Sequence, residues 1–255
     1  MLLKLPWTVE FHFNAWDVAL IAAVATLCVI IAYVHNPRWK VLVMGLPVPF
    51  TMATLAVGLP VGAGHVTGFL VFLGFTHVVR LLHYNVGMSI VPAIVISTLS
   101  HVVIAWLLAQ ILPLTDLFFN LSALVVFLTA VVSYRQIQYR EEPGHRSPLA
   151  LWLKLPIIVA VIFALILIKN SLHGFIASCP MVGVVAAYEA RRSLYAICRQ
   201  TAVLLISFVP ALVVMRLVQE PLGLGVALAV GWIVFGAIMV PLSWWTWFAK
   251  GGICT

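Results

Sequence analysis

Long apolar runs separated by short polar segments dominate this chain. Nine runs have the length of about 20 residues that a transmembrane helix needs, and their predicted limits are 16–35, 41–60, 64–83, 88–112, 117–134, 149–169, 171–190, 196–218 and 222–247. None shows the alternation of apolar and polar positions over about ten residues that is typical of a transmembrane β-strand. The pattern therefore predicts an all-α polytopic membrane protein with about nine transmembrane helices, here called spans 1 to 9.

Composition agrees with this pattern and excludes a soluble protein. Of the 255 residues, 64% are hydrophobic and 8% are charged, whereas a soluble domain has about 45–50% apolar and 25% charged residues. Fourteen Lys and Arg against seven Asp and Glu give a net charge of +7. In a polar chain that excess would indicate nucleic-acid binding, but this chain has too little polar surface for it. The expected partner is the lipid bilayer, and no nucleic acid is expected.

The positions of the cations predict how the chain is oriented in the membrane. If nine spans alternate in direction, eleven of the fourteen cations fall on one side, namely Arg38, Lys40, Arg80, Arg135, Arg140, Arg146, Lys154, Arg191, Arg192, Arg199 and Lys250. The other side receives Lys4, Lys169 and Arg216. Cytoplasmic loops carry the excess of Lys and Arg. We therefore predict a multi-pass protein of the bacterial cytoplasmic membrane, with its N-terminus outside and its C-terminus in the cytoplasm.

Matched positions in the two halves of the chain predict an internal duplication. Pro113 follows His65 by 48 residues, and Pro221 follows His173 by the same 48 residues. The predicted division is a short N-terminal segment 1–15, a first four-helix repeat 16–113, a second four-helix repeat 114–221, and a segment 222–255 with span 9 and the C-terminus. An even number of helices per unit makes the repeats parallel, and transporters place their sites at the interface between such repeats. The alternative is chance recurrence of Pro and Gly near loop ends.

Residues 149–247 also contain three short motifs that carry a family resemblance. They are Lys154-Leu155-Pro156, then His173-Gly174-Phe175 running to Pro180, then the run Tyr188-Glu189-Ala190-Arg191-Arg192. In these features the second half resembles the small four-helix inner-membrane proteins of the GlpM type. The resemblance implies two fused copies of a four-helix unit, with His77 and Arg80 standing in the first copy where the second has Tyr188 to Arg192. It implies no particular reaction or substrate.

A few polar side chains lie inside the predicted spans, where a charge costs about 2.5–3.5 kcal/mol. His77 and Arg80 lie one helical turn apart in span 3, His101 lies at mid-depth in span 4, and Glu189 and Arg192 lie near the inner end of span 7. We interpret them as candidates for a substrate or proton pathway. The alternative is structural, with an ion pair between Glu189 and Arg192 at the membrane surface and an interhelical hydrogen bond from His101.

Prolines interrupt two of the spans. Pro47 and Pro49 lie in span 2, and Pro180 lies within span 7. A helix break at membrane depth survives only where protein or a water-filled cavity satisfies the freed backbone groups, and such breaks point to a transport site. A purely structural kink is the other interpretation.

The favoured function is that of a small secondary transporter or permease for a small solute, with or without proton coupling, with its site between spans 2, 3, 4 and 7. A non-transporting accessory subunit for envelope or lipid metabolism, in a homodimer or membrane complex, is the alternative. An integral-membrane redox enzyme is a third hypothesis, for which His77 and His101 would have to share a haem or copper. The chain has no HExxH or CxxC motif, so no metal or other cofactor is expected.

Overall fold

The computed structural model describes residues 14–34, 36–113, 115–137 and 172–248, together with residues 156, 159, 160, 162–164, 166 and 167. Of these residues, 88% are helical and none lies in a β-strand. The elements are α1 (Ala15–Tyr33), α2 (Pro37–Met44), α3 (Val48–Val57), α4 (Ala63–Arg80), a π-helical turn (Leu81–Asn85), α5 (Ile90–Ile111), α6 (Asp116–Gln136), a 3-10 segment (His173–Ser178), α7 (Met181–Glu189) and α8 (Leu194–Phe248).

Five helices in the described part of the chain are long and apolar enough to cross a membrane. They are α1, α4 with its π-helical turn, α5, α6 and α8. This confirms the prediction of an all-α chain with several membrane-spanning helices. The count of nine spans is not confirmed, because spans 2 and 7 are each interrupted, spans 8 and 9 are joined in α8, and most of span 6 lies outside the described residues.

Helix α8 is folded back on itself at Gly223. Its 55 residues would measure about 80 Å as a straight helix, far more than the hydrocarbon core of about 30 Å. Gly223 has φ 81° and ψ 163°, a backbone conformation that favours glycine. On either side of it, Ser207 Oγ lies 3.6 Å from Met239 Sδ, and the rings of Phe208 and Phe235 are 5.4 Å apart. The two halves of α8 are therefore antiparallel neighbours.

Spans 2 and 7 are each broken by a short segment that contains proline. Gly45, Leu46 and Pro47 separate α2 from α3, and Cys179 and Pro180 separate the 3-10 segment from α7. Proline fixes its own φ angle and lacks a backbone N–H, so it sits readily at the start of a helix and poorly within one. Each break therefore ends one short helix and begins another inside the bundle.

Polar contacts are gathered at two opposite ends of the bundle. At one end, here called the Asp116 end, Asp116 forms an ion pair of 2.7 Å with Arg216. The Gln219 amide there exchanges two hydrogen bonds with the backbone of Val61, of 2.8 and 3.0 Å. The Arg80 end contains the residues around Arg80, Lys40, Tyr84, Tyr134, Glu189, Arg191, Tyr195 and Arg199. The described helices thus run alternately between these two ends.

An aromatic cluster in the interior joins α3, α4 and both halves of α8. The rings of Phe50 and Phe208 are 4.9 Å apart, as are those of Phe69 and Phe208. All three rings are buried. The three rings pack against one another beside the region where the two helix breaks meet, and they form one side of it.

Candidate functional site

The two helix breaks face a common cavity of about 50 Å³. That volume has room for about three to five water molecules. The residues around it come from both breaks and the neighbouring turns, from α4 and from the first half of α8: Met44, Gly45, Leu46, Pro47, Pro49, Phe50, Phe69, Phe72, Ala177, Ser178, Cys179, Pro180, Val182, Gly183, Leu204 and Phe208. All three predicted helix-breaking prolines are among them.

Four helix ends meet at this cavity. The last turns of α2 and of the 3-10 segment approach it with their carbonyl ends, and α3 and α7 begin there. Neither α3 nor α7 has a side-chain cap, and each is preceded by a proline, Pro47 or Pro180. Helix ends leave backbone N–H and C=O groups without partners in the helix. The helix ends therefore bring backbone polar groups to an otherwise apolar wall, although the N–H groups of Gly45, Leu46, Cys179 and Met181 are already bonded within the breaks.

The side chains that line the cavity are almost all apolar. Ser178 and Cys179 supply a hydroxyl and a thiol, and the Ser178 hydroxyl donates a hydrogen bond of 2.9 Å to the Phe175 carbonyl. None of the described lining residues is Asp, Glu, His, Lys or Arg. Because an uncompensated ion is costly to bury in such a wall, the site suits a small solute without net charge.

Close packing between α4 and broken span 7 depends on glycine. A Cβ added at Gly68 would overlap Ser178 Oγ, and one at Gly183 would lie 2.9 Å from Phe72 Cε2. These glycines let the helices approach closely enough to enclose the cavity.

His77 links α4 to α6 at the Arg80 end. Its Nδ1 lies 3.0 Å from the Leu73 carbonyl oxygen, and its Nε2 lies 3.1 Å from Ser133 Oγ. Arg80, one turn further along α4, places its guanidinium 5.0 Å from the centre of the Tyr195 ring. Neither residue lines the cavity between the breaks. Their observed partners are those of helix packing.

His101 is buried in α5, with 2% of its surface exposed. Its ring packs edge-on against Phe75 at 6.5 Å between centres, and the backbone of Val71 faces it. Neither ring nitrogen has a hydrogen bond to a described residue that meets distance and angle criteria. His101 does not line the cavity either, so the structure places it in a separate part of the bundle.

Glu189 and Arg192 have different surroundings at the end of α7. Glu189 is fully buried, and its carbonyl oxygen accepts a hydrogen bond of 3.2 Å from Lys40 Nζ. Arg192 is exposed. Lys40 is a residue that sequence reasoning missed. It was expected in a cytoplasmic loop and is instead buried at the start of broken span 2.

The matched pair His65 and His173 lies where α4 meets the 3-10 segment. His65 is buried, its Nδ1 accepts a hydrogen bond from the Gly62 N–H at 3.2 Å, and a Cβ at Gly174 would lie 2.6 Å from it. His173 begins the 3-10 segment, and its side chain lies outside the described residues. The structure therefore brings His65 against the backbone next to His173.

Comparisons with known proteins found no matching family model, curated protein or solved structure. The resemblance to the GlpM type stays a prediction. Within the described ranges, no group of three or more His, Cys, Asp or Glu side chains is arranged to hold a metal ion. The fold and the site define a class, a helical membrane protein with two interrupted spans that meet at a partly open cavity.

Proposed function

We propose that this protein is a small multi-pass transporter or permease that carries a small solute through the junction of its two broken helices. The observation that carries the proposal is that both breaks line one cavity. Each interruption brings the backbone groups of two helix ends into the bundle; some of them, such as the N–H groups of Gly45 and Met181, are bonded within the break itself. The convergence of the two interruptions on one cavity is the arrangement by which discontinuous helices bind solutes in transporters.

The lining also supports a class of solute. Its polar groups are backbone N–H and C=O, the Ser178 hydroxyl and the Cys179 thiol, with no charged side chain among the described lining residues. We therefore propose an uncharged solute of a few heavy atoms. Proton coupling stays a prediction. It would involve titratable groups away from the cavity, such as His77 or His101.

The proposal keeps nine spans, with the Arg80 end in the cytoplasm and the N-terminus outside. The grouping of polar residues at two ends supports it, because alternating spans would bring Arg80, Arg191 and Arg199 together at one end and Asp116 and Arg216 at the other. The parallel four-helix repeats, 16–113 and 114–221, also stay a proposal. That scheme pairs span 2 with span 6 and span 3 with span 7, so it does not account for the breaks in spans 2 and 7.

Release of solutes from vesicles tests this function. The protein is reconstituted in liposomes, and the efflux of glycerol, urea and acetamide is compared with that from protein-free liposomes. Replacing Val182, which lines the cavity, by Phe should return the efflux to the protein-free rate because the larger ring fills the space. Val185, on the same helix but not on the cavity wall, provides the matched control as Val185→Phe.

Two results would count against transport through this junction. One is an efflux of all three solutes equal to that of protein-free liposomes although the protein elutes as a folded species. The other is an equal loss of efflux in Val182→Phe and Val185→Phe, which would place the solute path elsewhere.

A further inference from the structure

Arginine and tyrosine side chains form a patch at the Arg80 end, apart from the cavity. This arginine–tyrosine patch consists of Arg80, Tyr84, Arg191, Arg192 and Tyr195. The Tyr84 and Tyr195 rings are stacked with centres 5.6 Å apart, and the Tyr84 hydroxyl donates a hydrogen bond of 3.1 Å to the Arg191 carbonyl. The patch therefore joins the π-helical turn after α4 to the turn between α7 and α8.

Arg80 is held in this patch by an aromatic ring. Its guanidinium carbon lies 5.0 Å from the centre of the Tyr195 ring. Its Nε is buried and has no hydrogen-bond partner among the described residues. A buried donor left without an acceptor is costly, and an arginine held over a ring can still direct the N–H groups of its edge at a planar or tetrahedral anion. The Arg80 side chain thus has one buried N–H without an acceptor among the described residues.

Negative charge in the described part of the chain lies mostly elsewhere. Asp17 and Asp116 lie towards the Asp116 end, where Asn14 bonds the Ala56 carbonyl and Asp116 pairs with Arg216. At the Arg80 end, Glu189 is fully buried beside Lys40. The patch thus has a local excess of positive charge on a partly exposed surface.

We propose that the arginine–tyrosine patch binds a phosphate anion, with Arg80 as the principal donor and the exposed Arg192 as a second cation. Arg191 already donates to the Tyr188 carbonyl and lies over the Tyr188 ring. Phosphate matches the paired N–H groups of arginine. Two sources share this chemistry, an anionic phospholipid headgroup and a soluble phosphate. The neighbouring exposed side chains of Leu81 and Val86, 43% and 66% exposed, give acyl chains an apolar surface and favour the lipid.

The test is a binding measurement on the purified full-length protein in detergent. The probes are short-chain phosphatidylglycerol, short-chain phosphatidylcholine and inorganic phosphate, and the dissociation constant of each is measured. Arg80→Gln should weaken phosphatidylglycerol binding about tenfold, because a charge-assisted hydrogen-bonded contact is lost. Arg135→Gln is the control, since Arg135 is an exposed arginine at the end of α6 whose loss changes the net charge equally.

Three outcomes decide the proposal. Preferential binding of phosphatidylglycerol that falls in Arg80→Gln and persists in Arg135→Gln supports a lipid-headgroup site. Competition by inorganic phosphate at the same arginine supports the site with a soluble ligand. Equal losses in both variants, or no preference for either phosphate probe over phosphatidylcholine, overturn it.

A second variant covers the case in which Arg80→Gln does not fold. Arg80→Lys keeps the charge but lacks the paired N–H groups, so its affinity should fall several-fold. An affinity equal to that of the unmodified protein would overturn the assignment to Arg80. The patch is separate from the cavity, so the Arg80 variants should not change solute efflux. A negative binding result would therefore leave the proposed transport function untouched.

Discussion

His101 is a buried polar side chain for which the described residues offer no well-formed hydrogen bond. His77 and His65 each have a hydrogen-bond partner near a ring nitrogen, whereas both nitrogens of His101 lack one among the described residues. Sequence alone could identify each of these histidines as intramembrane. It could not identify their partners, because those come from helices distant in the chain.

At the residue scale we expect His101 to be replaceable by an apolar side chain of similar size. Leucine removes a buried polar group without a partner and fills the same space, so His101→Leu should keep or raise the midpoint of thermal unfolding. His101→Ala leaves a void and should be less stable than His101→Leu by about 2 kcal/mol or more.

The measurement is thermal unfolding of the two variants in detergent, followed by fluorescence. If His101→Leu were as destabilised as His101→Ala, the imidazole would have a stabilising partner, either the Val71 backbone that faces it or a solute or water. pH-dependent efflux of His101→Ala would then test its role in proton coupling.

At the scale of elements, the extent of a continuous helix follows from its apolar run, and the position of a break does not. The limits of α1, α5 and α6 fall within a few residues of the predicted spans, because each run of apolar residues must be covered from end to end by lipid or protein. Proline marked the breaks in spans 2 and 7. Whether the two breaks face one cavity depends on packing between helices distant in the chain, and the pattern of a single sequence does not show that packing.

The fit of α4 against broken span 7 gives a prediction with a control on the same helix. In Gly68→Ala the new Cβ would overlap Ser178 Oγ and come within 3.3 Å of Phe175, so the 3-10 segment must move. We expect a loss of about 1–3 kcal/mol in stability. Gly74 also lies in α4 but faces open space, so Gly74→Ala should be neutral or stabilising by up to about 1 kcal/mol.

Unfolding midpoints of the two alanine variants, measured side by side, check this prediction. Ser178→Gly should restore part of the stability lost in Gly68→Ala, because it removes the overlapping hydroxyl. Equal midpoints for Gly68→Ala and Gly74→Ala would show that the two elements are not in close contact.

For the whole molecule, the cation distribution and the three-dimensional grouping of polar residues describe the same division. Arg80, Arg191 and Arg199, predicted on one side from sequence, make contacts at one end of the bundle. Arg216, predicted on the other, bonds Asp116 and the Val61 carbonyl at the opposite end. The grouping of the cations could be predicted because the cations of one loop lie at the same end as the loop itself. The cavity could not be predicted, because it forms only when helices distant in the chain pack together.

In the proposed transporter, water and solute reach the junction of the broken helices. The reactivity of Cys179, which lies at that junction, reports whether they do. Cys179 lines the cavity and is 8% exposed, whereas Cys28 in α1 is 0% exposed. Two variants are compared in membrane vesicles, one keeping Cys179 as its sole cysteine and the other keeping Cys28. A small, uncharged, water-soluble thiol reagent is added, and the rate of modification of each thiol is measured, since such reagents react fastest with thiols that water can reach. We expect Cys179 to be modified several-fold faster than Cys28. Equal rates for the two thiols, with full labelling of both after denaturation, would contradict access to the junction.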